Sequence, residues 1–117
     1  MVTTFFGAAF DAGDAARLAS FWSAVLGRAV DEGASRENAV ISATTPELGP
    51  RIAFHRVPEE KVAKNRFHPD LITTDYDTEL ARMRDLGATV LNEVHKGPSR
   101  WTTLADPEGN EFDLIAG

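Results

Sequence analysis

Apolar residues in the segment from residue 10 to 30, FDAGDAARLASFWSAVLGRAV, recur with the period of one helix face. Their i, i+3, i+4, i+7, i+8 spacing is typical of an amphipathic helix that packs on a core. Asp14 precedes this pattern and is predicted to be the N-cap, because its short side chain can accept a free backbone N–H. Gly27 follows the pattern, at the left-handed position that commonly ends a helix. The inward face of this predicted helix consists of Leu18, Phe21, Trp22, Val25 and Leu26.

A second segment, LITTDYDTELARMRDLGATV at residues 71–90, repeats this order of features. Asp75 lies 61 residues after Asp14, and Gly87 lies 60 residues after Gly27. A nearly constant offset indicates two related units of about 60 residues each. The apolar face of the second helix is weaker, and the residues predicted to form it are Leu80, Met83 and Leu86.

Three short strand candidates follow each predicted helix. They lie near residues 28–33, 38–44 and 50–57 in the first half, and near residues 88–95, 100–105 and 110–116 in the second. The turn sequences TTPELGP (44–50) and DPEGN (106–110) separate the last two strands of each half, and the DPEG order suits a type I turn. With its leading strand, each half is predicted to be a β-α-β-β-β module. The pattern therefore predicts an α+β fold with modules at about 1–60 and 61–117.

Alternation along the strands assigns a face to several polar residues. In RIAFHRV (51–57), FHPDL (67–71) and EFDLI (111–115), the phenylalanine is predicted to pack and the next residue to face the other side. The repeat makes position 7 equivalent to position 68, and position 55 equivalent to position 113. Three of these four positions carry metal-ligand side chains, namely His55, His68 and Asp113, whereas Gly7 has no donor. Two imidazoles and one carboxylate suit a divalent first-row metal with open positions.

The same polar residues have simpler interpretations. A histidine or aspartate on a solvated sheet face needs no function, and His68 and Asp70 could pair with each other or with nearby basic residues. His95 is predicted to be a loop residue. Trp101, at a strand start, either packs in the core or forms the stacking wall of a cleft.

Composition narrows the class of protein. The 117 residues are 43% hydrophobic and 26% charged, which is ordinary for one globular domain. The absence of cysteine excludes disulfides, thiolate metal sites and a cysteine nucleophile. A formal net charge of -6 without a basic run makes nucleic acid and anionic membranes poor partners. The start, MVTTFFGAAF, has no basic region and no apolar run of spanning length, so we interpret it as the first strand and expect a cytoplasmic protein.

Three segments taken together, FDAGDAARLASFWSAVLG, VPEEKVAKNRFHPDL and WTTLADPEGNEFDL, resemble the vicinal oxygen chelate superfamily. This is the group of glyoxalase I, bleomycin-resistance proteins and extradiol dioxygenases. Within it the chain looks most like the small glyoxalase-like domain proteins, and the resemblance covers nearly the whole chain. It implies a curved mixed sheet with a concave cleft and with helices on the outer face. It also implies a homodimer, for which exposed strand edges give a physical motive.

The resemblance also implies a ligand set. Metal-using members take one ligand from the first strand and one from the last strand of each half. By position the second half supplies His68 and Asp113, and the first half supplies His55 with looser alignment. A dioxygenase of this class would carry histidine at position 7, and glyoxalase I histidine or glutamine, so Gly7 departs from both patterns. Three ligands could still hold one divalent metal, Zn, Ni, Fe or Mn.

Residues for catalysis and for ligand contact follow from the same resemblance. Glu111 or Asp70 would be the candidate base, because a carboxylate in a partly dry cup can have a raised pKa. Gly7 and Trp101 would contact the small-molecule ligand.

Two functions remain open at this point. One is a metal-dependent lyase, isomerase or dioxygenase-like enzyme that acts on a small oxygenated or thiol-conjugated substrate. The other is a metal-free protein that sequesters a small molecule, as bleomycin-resistance members do. The pair His55 and His68 favours the enzyme, and Gly7 favours sequestration.

Overall fold

The computed structural model describes residues 2–43 and 49–117, and the chain divides into two compact units that join between Glu60 and Lys61. The described part of the first unit contains, in order, β1 (Gly7–Ala12), α1 (Ala15–Leu26), β2 (Asn38–Ile41) and β3 (Arg51–Arg56). The second contains β4 (Asp70–Thr73), α2 (Tyr76–Asp85), β5 (Thr89–Lys96), β6 (Ser99–Ala105) and β7 (Glu111–Ala116). The predicted α+β class is confirmed. Neither helix of the described residues is long and apolar enough to cross a membrane.

In the first unit, α1 packs on a three-stranded sheet of order β1-β3-β2. β1 runs parallel to β3, and β2 runs antiparallel to it. The Asp14 side chain accepts a hydrogen bond from the Arg17 N–H at 3.2 Å, and Gly27 has φ 65° in the left-handed region. Both helix ends are therefore formed as predicted. Trp22 and Phe54 lie fully buried between helix and sheet, where Phe10 stacks on each of them.

In the second unit, a four-stranded sheet has the order β4-β7-β6-β5. β4 runs parallel to β7, and the other two pairings are antiparallel. The core of the sheet is built from side chains that alternate along β6 and β7, including Leu104, Phe112 and Leu114, each at most 1% exposed. On α2, Met83 is buried as predicted, whereas Leu86 is 37% exposed because the helix ends there.

Residues 28–33 do not form the strand that was predicted for them. The segment is an irregular connection, held beside β2 by a hydrogen bond from the Asp31 N–H to the Val40 carbonyl at 2.8 Å. The buried Arg28 side chain donates instead to the carbonyls of Ser42 and Pro50, at 2.9 and 2.8 Å. The Arg28 side chain therefore satisfies two backbone carbonyl oxygens that the hydrogen bonds of a neighbouring strand could otherwise have satisfied. Residues 44–48 of the predicted turn at 44–50 lie outside the described residues.

Two strand boundaries in the second unit also differ from the prediction. β4 begins at Asp70, so His68 precedes the strand, and Phe67 is 72% exposed rather than packed. Pro69 explains this start, because proline has no N–H to donate to a ladder. His95 lies within β5 rather than in a loop.

Candidate functional site

The start of β4 brings three polar side chains together in the second unit. Asp70 pairs with Asp113 in the parallel β4–β7 register, and the Asp113 N–H donates to the Pro69 carbonyl at 3.0 Å. His68, one residue before this contact, places its Nδ1 3.3 Å from Asp70 Oδ1 and 3.7 Å from Asp113 Oδ2. One potential donor atom from each of the three residues lies within 4.8 Å of the other two. Of the three predicted metal ligands, the structure therefore brings His68 and Asp113 together, and it adds Asp70.

Asp113 is the most enclosed member of this cluster. Its side chain is 18% exposed, compared with 39% for His68 and 56% for Asp70. The Thr103 hydroxyl, from the neighbouring position on β6, donates to Asp113 Oδ1 at 2.6 Å. This bond orients the carboxylate so that Oδ2 is the oxygen nearer to His68. The Asp113 carboxylate is therefore held in place by the neighbouring strand β6.

The donor set fits a divalent cation. Metal–ligand bonds of about 2.1 Å in a tetrahedral site place the ligand atoms about 3.4 Å apart. The separations from His68 Nδ1 to the two carboxylates, 3.3 and 3.7 Å, are close to that value. One imidazole with two carboxylates is a donor set that first-row divalent ions accept.

His55 lies on β3 in the first unit. It is exposed, and its Nδ1 is 3.0 Å from Asn38 Oδ1 in the antiparallel register of β2 and β3. This contact fixes the ring against a neutral amide. The metal-binding role of His55 stays a prediction.

Gly7 is required by the close approach of two strands. It pairs with Arg51 in the parallel β1–β3 register, and a Cβ placed on Gly7 would overlap the Arg51 carbonyl oxygen. No side chain, and so no metal ligand, fits at position 7 with this backbone. Ligand contact by Gly7 stays a prediction.

Glu111 makes contacts that the sequence did not indicate. Its Oε1 accepts the Asn65 N–H at 2.9 Å, and its Oε2 accepts the Lys61 ammonium at 3.1 Å. Burial by itself would raise the pKa of Glu111, but these hydrogen bonds outweigh burial, and its pKa lies below the ordinary value of 4.5. The raised pKa expected for Glu111 is therefore wrong in sign. A lowered pKa makes the carboxylate a weaker proton acceptor.

The DPEGN turn, residues 106–110, lies next to Glu111 in sequence. The Gly109 N–H donates to the Asp106 carbonyl at 2.8 Å, so the predicted turn is formed. The buried Asp106 carboxylate accepts both the backbone N–H and the side-chain amide of Asn110. The Asn65 amide in turn donates to Asn110 Oδ1 at 3.2 Å. The turn is thus linked to the segment that precedes His68.

Thr103, Lys61, Asn65 and Asn110 are the residues that sequence reasoning missed. Alternation in WTTLA could have indicated Thr103, because it shares a face with Trp101 in β6 and lies opposite Asp113 in the register. Asn110 lies in the DPEGN turn, where its partner Asp106 is four residues away. Nothing local indicates Lys61 and Asn65, since their side-chain partners on β7 and in the turn lie 45 to 50 residues away.

Trp101 is half-buried on β6, with Val94 and Ile115 as its register partners. A shallow depression of about 270 Å³ within the second unit is lined by Tyr76, Glu93, Val94, His95, Arg100 and Trp101. The Arg100 guanidinium covers the Tyr76 ring at 4.0 Å. Stacking of Trp101 on a ligand stays a prediction.

Comparison with known proteins supplies the family. A model of the glyoxalase-like domain matches residues 7–115. No curated protein matches the sequence. Solved structures match the fold. Fosfomycin resistance protein FosX from Mesorhizobium loti is 16% identical with a TM-score of 0.76, over 100% of this chain and 94% of its own.

Two further solved structures show the same likeness. A FosX variant from Listeria monocytogenes, in complex with Mn(II) and 1S,2S-dihydroxypropylphosphonic acid, is 14% identical with a TM-score of 0.79, over 100% of this chain and 92% of its own. A glyoxalase/bleomycin resistance protein/dioxygenase family enzyme from Burkholderia phytofirmans is 17% identical with a TM-score of 0.72, over 92% of this chain and 94% of its own. At these identities the structures support the fold. With the domain match over nearly the whole chain, the protein belongs to the glyoxalase-like domain family of the vicinal oxygen chelate superfamily.

Proposed function

We propose that this protein is a metal-dependent enzyme that acts on a small oxygenated molecule, with one divalent cation bound by His68, Asp113 and Asp70. The observation that carries the proposal is the spacing of the three donor groups, with 3.3 and 3.7 Å between His68 Nδ1 and the two carboxylates. The fold of FosX, which is solved with Mn(II) and a phosphonate, adds support. The substrate class is a small molecule with vicinal oxygens, and the ion is one of Mn, Fe, Ni or Zn.

Each residue would have a distinct task. The neutral imidazole of His68 and the Thr103-held carboxylate of Asp113 would bind the cation, which acts as a Lewis acid on substrate oxygens when bound. Asp70, the most exposed of the three, would complete the ligand set. Its role as the base stays a prediction. Glu111 is the weaker candidate for base because both its oxygens are bonded and its pKa is lowered.

Metal-free sequestration of a small molecule is the second candidate. It is favoured by Gly7, which has no room for a fourth ligand. It is also favoured by His68, which can form an ion pair with Asp70 or Asp113 without any metal. In this case Trp101 would provide the stacking surface for the ligand.

Elemental analysis of the purified protein separates the two candidates. We expect the wild type to contain about one equivalent of Mn, Fe, Ni or Zn per chain. The ion should be lost in H68A and in D113N. It should be retained in the matched control H95A, which removes an exposed histidine of β5. An H55A arm tests the ligand predicted from the first unit. The proposal is wrong if the wild type binds no ion after loading with excess Mn²⁺ and Zn²⁺, and sequestration is then the better account.

A homodimer and a cytoplasmic location accompany the proposal. Pairing is supported by large apolar side chains that face solvent, among them Phe5 and Phe6 near β1 and Ile72 on the edge strand β4, each at least 73% exposed. Light scattering after size-exclusion chromatography measures the mass directly. A mass near 12.7 kDa at micromolar concentration would contradict the dimer.

A further inference from the structure

His68 lies between two points at which its chain segment is fixed to β7. After it, the Pro69 carbonyl accepts the Asp113 N–H at 3.0 Å. Before it, the Asn65 N–H donates to Glu111 Oε1 at 2.9 Å. Only residues 66–68 separate the two fixed points. His68 precedes the first residue of β4, so its backbone is restricted by these two flanking contacts and not by strand-pairing hydrogen bonds of its own.

The contact before His68 is reinforced by a charge. The Lys61 ammonium lies 3.1 Å from Glu111 Oε2 and also donates to the Ala63 carbonyl at 2.5 Å. The side chains of Lys61 and Glu111 are 21% and 12% exposed, so this pair is better shielded than a typical surface ion pair. We call residues 61–65 the clamped segment, because Glu111 contacts both ends of it, Lys61 and Asn65.

A second contact ties the clamped segment to the buried turn. The Asn65 amide donates to Asn110 Oδ1, and Asn110 is itself held by the Asp106 carboxylate through its backbone and side-chain N–H groups. Asn110 and Asp106 are 9% and 3% exposed. The anchor for Asn65 is consequently part of the buried interior of the second unit.

We propose that Glu111 is a positioning residue, which fixes the clamped segment so that His68 faces Asp113. The inference deepens the proposed function and rests on it for the identity of the ligand. Glu111 and Asp113 lie two residues apart on one face of β7, about 7 Å along the strand. Strand β7 thus supplies both the Asp113 carboxylate of the cluster and the Glu111 contacts that position the His68 imidazole. Glu111 acts through His68 and does not contact the bound ion.

Three variants separate position from charge. E111A removes both hydrogen bonds of the clamp. E111Q keeps a carbonyl oxygen for the Asn65 N–H and loses the charge, and K61A loses the ion pair and keeps the Asn65 contact. E93Q, on an exposed position of β5, is the matched control for loss of one glutamate charge. Binding of Mn²⁺ is titrated by electron paramagnetic resonance, and the His68 ring signal of the metal-free protein is followed by NMR.

We expect E111A to weaken Mn²⁺ binding about 10- to 100-fold, which is the usual effect of removing a group that orients a ligand. E111Q and K61A should retain most of the affinity, and E93Q all of it. In metal-free protein, the His68 ring signal should shift in E111A and return in E111Q. Wild-type affinity in E111A, or equal losses in E111A and E111Q, would overturn the positioning role.

The NMR arm tests the clamp even if the proposed function is wrong. If the wild type binds neither Mn²⁺ nor Zn²⁺ after loading, the metal site is refuted, and the His68 ring signal alone tests the positioning role. A His68 signal that moves in E111A and is restored in E111Q supports positioning. A signal that is the same in all variants refutes it.

Discussion

Replacing Gly7 with alanine is expected to destabilise the first unit. Gly7 pairs with Arg51 in the parallel register of β1 and β3, and the added Cβ would overlap the Arg51 carbonyl oxygen and lie 3.1 Å from the Arg51 Cβ. The obstructing oxygen belongs to the backbone, so it cannot rotate away as a flexible side chain would. The strands must separate at this point, and hydrogen bonds of the ladder lengthen.

The cost follows from the size of the insertion. Forcing one methyl group into a well-packed position typically costs about 1–3 kcal/mol. An unfolding entropy of about 2.1 cal/mol/K per residue converts this cost, over 117 residues, to a fall in Tm of about 4–12 °C. A9S, two residues further along β1 at an exposed position, is the matched control and should change the unfolding free energy by less than about 0.5 kcal/mol.

Thermal unfolding followed by circular dichroism measures both variants. A Tm for G7A within 2 °C of the wild type, as a rough threshold for the lower end of the range, would refute the close approach of the two strands. The same overlap applies to G7H, which places at position 7 the histidine that the resemblance to dioxygenases implies there. We therefore expect G7H to lose stability and to gain no affinity for a divalent ion.

Three further predictions concern other contacts. Because the pKa of Glu111 is lowered in the folded protein, the ionised carboxylate stabilises the fold above the ordinary pKa of 4.5, and this stabilisation is lost as pH falls through the pKa of the folded state. E111Q should therefore flatten the acid side of a plot of the urea unfolding free energy against pH. An unchanged plot would contradict this. D14A should cost about 0.5–2 kcal/mol in urea unfolding, because the α1 N-cap is lost. T103V should weaken Mn²⁺ binding, measured by calorimetry, about 10-fold or more, because Asp113 loses its orienting donor. T89V, at an exposed position of β5, is its control. Equal Mn²⁺ affinities of T103V and T89V would refute the role of Thr103.

The sequence predicted the features that depend on neighbours along the chain. Asp14 and Gly27 bound α1 because capping depends on residues within one turn. Phe112 and Leu114 identified the buried face of β7, and this alternation placed Asp113 on the opposite, half-buried face. The coarse fold and two members of the cluster, His68 and Asp113, were therefore predictable from hydrophobic periodicity, capping residues and the internal repeat.

The remaining differences have one local cause and one cause that depends on distant partners. The pattern in FHPDL predicted a strand from Phe67, but the missing N–H of Pro69 delays the ladder until Asp70 and leaves Phe67 exposed. The sequence offers Glu111 or Asp70 as the candidate base. It does not indicate the contacts of Glu111 with Lys61 and Asn65, which lie 50 and 46 residues earlier. No local pattern contains such contacts, and they decide whether a carboxylate accepts protons or holds a loop.

Strand β7 limits the kinds of genetic change that this sequence can tolerate. Odd positions such as Glu111 and Asp113 carry the polar contacts, and even positions such as Phe112 carry the core. Loss of a single codon in the preceding turn would reverse this parity along the strand, driving carboxylates inward and phenylalanine outward. One-residue insertions or deletions there should therefore abolish folding, whereas point substitutions such as E111Q can alter a polar contact and spare the core.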